Sequence, residues 1–354
     1  MRSVLMMLGV VLHSAQVFNP NFTWLVSSPN SIALADHIVV SIHAFRMPAF
    51  FVISGFFCIF TLQKYGWQKF LRKRFIRIIV PLAVTALTLN TVQQLLLNEV
   101  AGVSFDWIRY LTSGGWIFHL WFLVNLLVYF SVAVAVAVFG GKLLTSSVGF
   151  LVRLLSRVHM FIVVALMPLF SIAMFALGKL GVPIYADFLG TIDAFSILRY
   201  APYFAFGGLL AAEAELFERF SVTNPLWSVL IIVVAVLVSG WLDSISSFFS
   251  RALSMYLTVL ISWFSVLICF AFFRSFCNQQ SRVWLFLSDA SYTVYLFHHS
   301  IVVAVGLFFV SRNVNAYAGL PLLIALTLVA TLIIHVVFVK SNRYGRFLFN
   351  GKLE

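Results

Sequence analysis

Acidic residues are scarce in this sequence. Asp and Glu number 11 in 354 residues, against 23 Lys and Arg. Charged residues of both signs make up 10%, where a soluble domain carries about 25%. A chain so poor in charge cannot clothe itself in solvated side chains, which excludes the soluble globular and disordered classes. Cysteine is also rare. Cys58, Cys269 and Cys277 all lie in or beside apolar runs, with no CxxC or Cys/His spacing. This excludes a disulfide framework and a thiolate metal site, and leaves three small buried hydrophobes. There is no Walker loop, GxSxG elbow or Rossmann fingerprint. Soluble domains, linkers, low-complexity tracts and the internal repeats of many transporters are absent, so residues 1–354 are expected to form one domain.

What remains is apolar: 62% of residues are hydrophobic, and the mean hydropathy is +1.04. Segments long enough to span a bilayer lie near residues 2–18, 37–62, 77–98, 116–139, 158–178, 198–213, 225–242, 253–273, 284–309 and 321–339. The expected fold is an all-α integral membrane protein with about ten transmembrane helices, the first and sixth being the shortest. The start MRSVLMMLGVVLHSA imitates a signal peptide. His13 in its core and the lack of a clean A-x-A site argue against cleavage.

The net charge of +12 does not point to nucleic acid, because its placement follows the positive-inside rule. Six Lys and Arg fall in the segment Lys64–Arg77 (KYGWQKFLRKRFIR), which reads as a loop. With that loop cytoplasmic, both termini are cytoplasmic. All but six basic residues then lie on the same side, the exceptions being Arg46, Arg109, Lys179, Arg199, Arg251 and Arg312. Anionic membrane lipid accounts for part of this bias.

Ionisable residues inside the apolar segments are costly and are by default functional hypotheses. On this topology His13, His43, His119, His298 and His299 occupy the midplane-to-outer half of the membrane, with Arg46 one turn deeper than His43. Arg2 and His13 are 11 residues apart. They therefore share a helix face to within ~20° and stand roughly 16 Å apart along the axis. Ser288, Tyr292, Tyr295 and His299 recur at i, i+4, i+7 and i+11 as one polar stripe. His43, Arg46 and Ser54 share a face across Pro48, which is able to kink the helix. A single intramembrane histidine is commonly just a packed, hydrogen-bonded residue, and tyrosines near helix ends are commonly interfacial anchors. Five histidines at one level are harder to explain that way. The adjacent rings of His298 and His299 point about 100° apart, a poor chelate, and no metal is expected. Arg74 and Arg77, one turn apart just before Pro81, make a bidentate clamp for phosphate.

The residues resemble the membrane acyltransferase family 3. They are most similar to its branch that succinylates osmoregulated periplasmic glucans in Gram-negative bacteria. The resemblance is carried by RSVLMMLGVVLHS (Arg2 to Ser14), HAFRM with PAFFVISGFF, Arg74-x-x-Arg77 before a proline, HLWFL from His119, SYTVYLFHHS ending at Ser300, and FLFNGK near the C-terminus. These pieces run in order along the whole chain. The resemblance implies a multi-pass protein of the bacterial inner membrane and a catalytic histidine at His13. It associates Arg74 and Arg77 with the acyl donor, and assigns His43, Arg46, His119, His298 and His299 to the glucan-modifying branch. The family usually carries an acidic residue three positions before its helix-1 arginine. Here Met1 alone precedes Arg2, so a late-assigned start or a missing segment is expected.

Together these readings give an expected reaction. Succinyl-CoA, a co-substrate rather than a resident cofactor, rests its phosphates on Arg74 and Arg77, with Arg2 and Arg72 nearby. A glucose hydroxyl of a periplasmic glucan is deprotonated by neutral His13 as it attacks the thioester. A covalent acyl-histidine route stays open. His43, His119, Tyr292 and Tyr295 are candidates for the oxyanion donor. Arg46 is expected to hold the free carboxylate of a succinyl group, with Tyr292 and Tyr295 also placed to bind acyl group or acceptor. Two alternatives stay open: an acetyltransferase of another envelope polysaccharide, and a transporter of anions or glycans.

Overall fold

The computed structural model describes residues 1–188, 190–242, 244–245, 247–277 and 281–352, without the side chains of residues 142–147. The described residues are mainly helical, with one two-stranded antiparallel hairpin among them, β1 (Asp187–Phe188) and β2 (Ile192–Asp193). We label the principal helices α1 (Arg2–Val17), α2 (Ala33–Tyr65), α3 (Trp67–Ala101), α4 (Phe118–Phe139), α5 (Met160–Lys179), α6 (Ala194–Ala212), α7 (Pro225–Leu242), α8 (Phe248–Phe276), α9 (Arg282–Ser311), α10 (Ala316–Lys340) and α11 (Arg343–Asn350). Short helices Trp107–Thr112, Gly141–Arg157 and Ala214–Ser221 connect them.

Among the described residues eight helices are long and apolar enough to cross a membrane: α2 to α5 and α7 to α10. The first and sixth expected segments are also helices, α1 of 16 residues and α6 of 19, and are not among the eight. Large apolar side chains stay exposed on the outer faces, such as Leu237, Phe139 and Val337, as a lipid-facing surface requires.

The basic segment Lys64–Arg77 is not a loop. Lys64 and Tyr65 close α2, Gly66 turns the chain at φ +75°, and Trp67 opens α3. No residue from Trp67 to Arg77 breaks a helix, so the helical path continues beyond the apolar stretch. Pro48 lies inside α2 without ending it.

α2 is the central post, and α6 packs along it. Their backbones nearly touch: a Cβ added at Gly207 would lie 1.9 Å from the Val52 carbonyl oxygen, and one at Gly55 equally close to that of Phe204. Small residues permit this approach where van der Waals packing, not water, drives helix association. α1 lies between α2, α9 and α10. The core is aromatic, with Phe51, Phe122, Tyr129, Tyr203 and Trp263 buried. Cys58 and Cys269 are buried within it and Cys277 lies at its edge, all as free thiols.

Two π-helical turns interrupt the regular pattern, at Ala86–Asn90 in α3 and at His335–Lys340 in α10. Such turns cost backbone hydrogen-bond geometry and recur at functional sites. The first lies just before Gln93, which bonds His299, and the second contains His335, 3.4 Å from Asp289.

Candidate active site

Two cavities lie back to back along α1, α2 and α9. The basic cavity, about 160 Å³, is lined by Arg2, Met6, Phe50, Ile53, Ser54, Phe57, Arg74, Arg77, Ile78, Phe122, Leu123, Leu126, Phe130, Ser288, Asp289, Tyr292, Asn350 and Lys352. The histidine cavity, about 910 Å³, is lined by residues that include His13, Gln16, Trp24, His43, Arg46, Met47, Phe118, His119, Trp121, Phe122, Arg199, Tyr200, Tyr295 and His299. Phe122 lines both. Its ring meets Phe50 edge-on at 4.6 Å between centroids and Tyr295 at 6.1 Å.

The helical spacings place the residues. On α1, Arg2 reaches one cavity and His13 the other. On α2, His43 and Arg46 face the histidine cavity and Ser54 the basic one. On α9, Ser288 and Tyr292 belong to the basic cavity, and Tyr295 and His299 to the histidine cavity. The expected α9 stripe thus runs from one chamber into the other. Arg72 is exposed and lies outside both linings. At 100° per residue it points about 160° away from Arg74.

Four histidine rings converge. His13 stands 5.3 Å from His298 and 4.9 Å from His299 between centroids, and His119 stacks on His299 at 4.6 Å. His43 is exposed beside them and touches none of these rings. Hydrogen bonds set the tautomers. The Nδ1–H of His298 donates to the carbonyls of Tyr295 (2.8 Å) and Val294 (3.0 Å), and its buried Nε2 has no partner. His13 Nδ1 bonds Gln16 Oε1, and His299 Nδ1 bonds Gln93 Oε1, each at 2.7 Å. With an amide oxygen accepting at Nδ1, the free lone pair in each ring is at Nε2, the state a general base requires. Of the three, His13 and His299 line the cavity. No group of three or more His, Cys, Asp or Glu among the described residues is arranged to hold a metal ion.

Arg46 is 7% exposed and makes no ion pair among the described residues. Its Nε–H donates to the Leu5 carbonyl at 2.9 Å. The guanidinium fits because position 9 is glycine: a Cβ there would lie 2.5 Å from Arg46 Nη2 and 3.2 Å from His298 Nε2. The two expected tyrosines have committed their hydroxyl protons. Tyr295 donates to the His119 carbonyl at 2.7 Å and Tyr292 to the Arg77 carbonyl at 3.1 Å. In this arrangement both hold the backbone of neighbouring site residues, and neither is a free oxyanion donor.

Several site residues were not anticipated. Trp24, in the segment after α1, stacks on His13 at 5.5 Å and covers it. Gln93 is fully buried and reaches His299 because the π turn at Ala86–Asn90 rotates the end of α3. Phe118 takes a positive φ of 41° just before His119, a strained backbone of the kind that collects at functional sites. In the basic cavity Asp289 joins Lys352 (2.9 Å) and His335 (3.4 Å), and His335 Nδ1 bonds Thr293 at 3.0 Å. Gly351, at φ +58°, brings this tail against α3, where a Cβ would lie 2.5 Å from Arg77 Cα.

A multi-pass membrane chain thus holds an arginine-lined cavity and a histidine-lined cavity that meet at Phe122. The class of protein comes from the sequence. Residues 1–340 match the acyltransferase family 3 model, described as an acyltransferase domain, and the chain belongs to this family. It is a membrane acyltransferase. Glucans biosynthesis protein C from Salmonella paratyphi B and that from Salmonella dublin are each 25% identical to it, over 99% of this chain and 93% of theirs. The protein of the same name from Salmonella heidelberg is 24% identical over the same shares. This is a distant relationship. No solved structure matches the chain.

Proposed function

We propose that this protein is an O-acyltransferase of the bacterial inner membrane. In this reading it moves a succinyl group from cytoplasmic succinyl-CoA to glucose hydroxyls of a periplasmic glucan. The observation that carries the reading is the contact of the two cavities at Phe122, one offering Arg2, Arg74 and Arg77 and the other the imidazoles. Guanidinium groups bind phosphate oxygens bidentately, so the nucleotide end of the donor occupies the basic cavity. Its pantetheine arm passes Phe122 and presents the thioester to the His13 level.

The acceptor hydroxyl enters the histidine cavity. Neutral His13 takes its proton through Nε2 as the oxygen attacks the thioester carbon. Gln16 holds the ring in that tautomer. The tetrahedral intermediate collapses, the carbon–sulfur bond breaks, and the imidazolium returns the proton to the thiolate of CoA. Arg46 is the charge nearest this point. It either steadies the oxyanion or pairs with the free succinyl carboxylate, and the acyl-group series below separates these roles. The glucan and the succinyl group enter from the sequence resemblance and from the names of the distant relatives.

The test is succinyl transfer to purified glucan by the protein in membranes, with free CoA measured alongside. His13→Ala is expected to abolish both while remaining inserted and folded. Transfer that survives moves the base to His299, which shares the cavity and the tautomer. A solute that moves while acyl-CoA stays intact makes transport the better reading. Arg46→Gln is expected to lose succinyl transfer and keep acetyl transfer. Equal loss of both assigns Arg46 to the oxyanion.

A further inference from the structure

A third cavity opens beside the histidine cavity, and we propose that it binds a second glycosyl unit of the acceptor chain, next to the unit being acylated. This rests on the reading of a glucan acceptor given above. The cavity measures about 320 Å³, at the lower end of the range of roughly 300–1,000 Å³ usual for small-ligand sites. It shares Trp121, Arg199 and Tyr200 with the histidine cavity, so a ligand reaching from one to the other is a single extended molecule.

The lining has the chemistry of a sugar ring. Trp121 stacks on Tyr200 at 5.6 Å and 26°, and Tyr200 in turn on Phe51 at 4.8 Å and 27°, so Trp121 ends the stack as a half-buried aromatic ledge. A pyranose offers such a ledge its apolar C–H face and keeps its hydroxyls at the rim, where donors and acceptors are needed together. Asp193 uses one carboxylate oxygen to accept from the Phe195 N–H at 3.0 Å and cap α6. Its second oxygen has no hydrogen bond among the described residues. Arg199 makes no ion pair among them and only lies over the Tyr200 ring at 5.6 Å. Asn125, 3% exposed, donates to Ser196 Oγ at 2.9 Å, which leaves the serine proton for a ligand. One cation, one anion and neutral hydroxyl and amide groups suit a polyhydroxylated neutral ring better than a phosphate or a fatty chain.

The cavity is also built rather than incidental. Its rim is the β1–β2 hairpin, seated on the turn before α4 by two glycines. A Cβ at Gly114 would lie 2.0 Å from the Gly190 carbonyl oxygen, and one at Gly190 would lie 2.1 Å from that of Ser113. Both glycines have positive φ. This close approach fixes Thr191 and Asp193 above Asn125.

The experiment compares two acceptors, a methyl glucoside and a linear glucan oligosaccharide, with the protein in nanodiscs. Asp193→Asn keeps the helix cap, since Asn caps as well as Asp, and removes the charge. Ser196→Ala removes the hydroxyl. The expected result is a KM for the oligosaccharide raised about tenfold in Asp193→Asn, as for loss of a hydrogen bond to a charged group, and a smaller rise in Ser196→Ala. Kinetics with the methyl glucoside and the KM for acyl-CoA stay at wild-type values. Equal changes with both acceptors, or none with either, overturn the subsite. An effect that appears only when anionic lipid is varied also overturns it, and marks a headgroup site instead. Failure of the parent reading looks different: the wild type then transfers to neither sugar while still consuming acyl-CoA.

Discussion

Gly9 gives the sharpest test of the geometry, because it lies between Arg2 and His13 and carries no chemistry of its own. In Gly9→Ala the new Cβ falls 2.5 Å from Arg46 Nη2 and 3.1 Å from Cζ. Relaxed contacts between such atoms sit near 3.5 Å, so the guanidinium must move by ~1 Å. Arg46 is anchored at Nε by the Leu5 carbonyl, a charge-assisted bond. The free end of the side chain can still yield toward the histidine cavity, so the stability cost belongs at the low end of overpacking, about 1 kcal/mol. Activity responds differently, since a displacement of 1 Å in a catalytic group is worth roughly 10²-fold. The expected outcome is a small loss of thermal stability in detergent with a transfer rate lowered about a hundredfold. Adding Arg46→Lys, whose slimmer ammonium clears the methyl group, should not recover the rate if the fork geometry matters. A Gly9→Ala protein with wild-type rate and stability would refute the reasoning, because α1 would not then approach Arg46 as described.

Three further outcomes follow from the same geometry. Phe122→Ala removes the side chain common to both cavities and should raise transfer from hexanoyl- and octanoyl-CoA relative to acetyl-CoA. An unchanged chain-length profile would show that the acyl group does not rest there. Lys352→Ala should raise the KM for acyl-CoA several-fold and leave that for acyl-pantetheine, which lacks the nucleotide phosphates, unchanged. Its ion pair with Asp289 is over a third exposed on both sides, so stability should change by less than about 1 kcal/mol in thermal melts. Gly207→Ala should reduce the yield of folded protein sharply, because its Cβ meets backbone on α2, while Gly240→Ala, with nothing within 4 Å, should leave yield and melting temperature unaltered.

How far the sequence could be read depended on whether a relation was local to one helix. Tyr292, Tyr295 and His299 share a face by period alone, and they line the two chambers in that order. Arg74 and Arg77 are likewise one turn apart and share the basic cavity. Arg72 carried the same charge but the wrong phase, and it points outward. Relations between helices were silent. Nothing near Gly9 announces that an arginine from α2 will pass it. Lys352 and Asp289 are 63 residues apart and meet only because Gly351 folds the tail onto α3. Gln93 was hidden for another reason. A π turn adds a residue to the helical repeat, so a face counted from the start of α3 is out of phase after Asn90. The basic segment misled in the opposite direction: charge density suggested a loop, but Trp67 to Arg77 contains no residue that stops a helix.

The division into two chambers answers a chemical difficulty of this reaction class. A thioester beside a general base is exposed to hydrolysis unless water is kept out at the moment of attack. The basic cavity has to be wet, because Arg2 and Arg77 are exposed and attract a polyanion. In the proposed reaction the histidine cavity admits a sugar. Between them stand Phe122, the Phe50 ring edge-on against it and the Tyr292–Tyr295 pair with rings 6.3 Å apart. Aromatic side chains fit this position because they fill the junction without offering hydrogen-bond partners at its centre. The two tyrosine hydroxyls are already committed to backbone carbonyls, so they do not hold water there either. On this reasoning a thin, flexible pantetheine arm displaces little as it threads past the rings. In the proposed mechanism the base then meets the thioester only when the donor has arrived, and the pair His43 and Arg46, so deep in an apolar helix, lines the cavity to which that mechanism assigns the new ester bond.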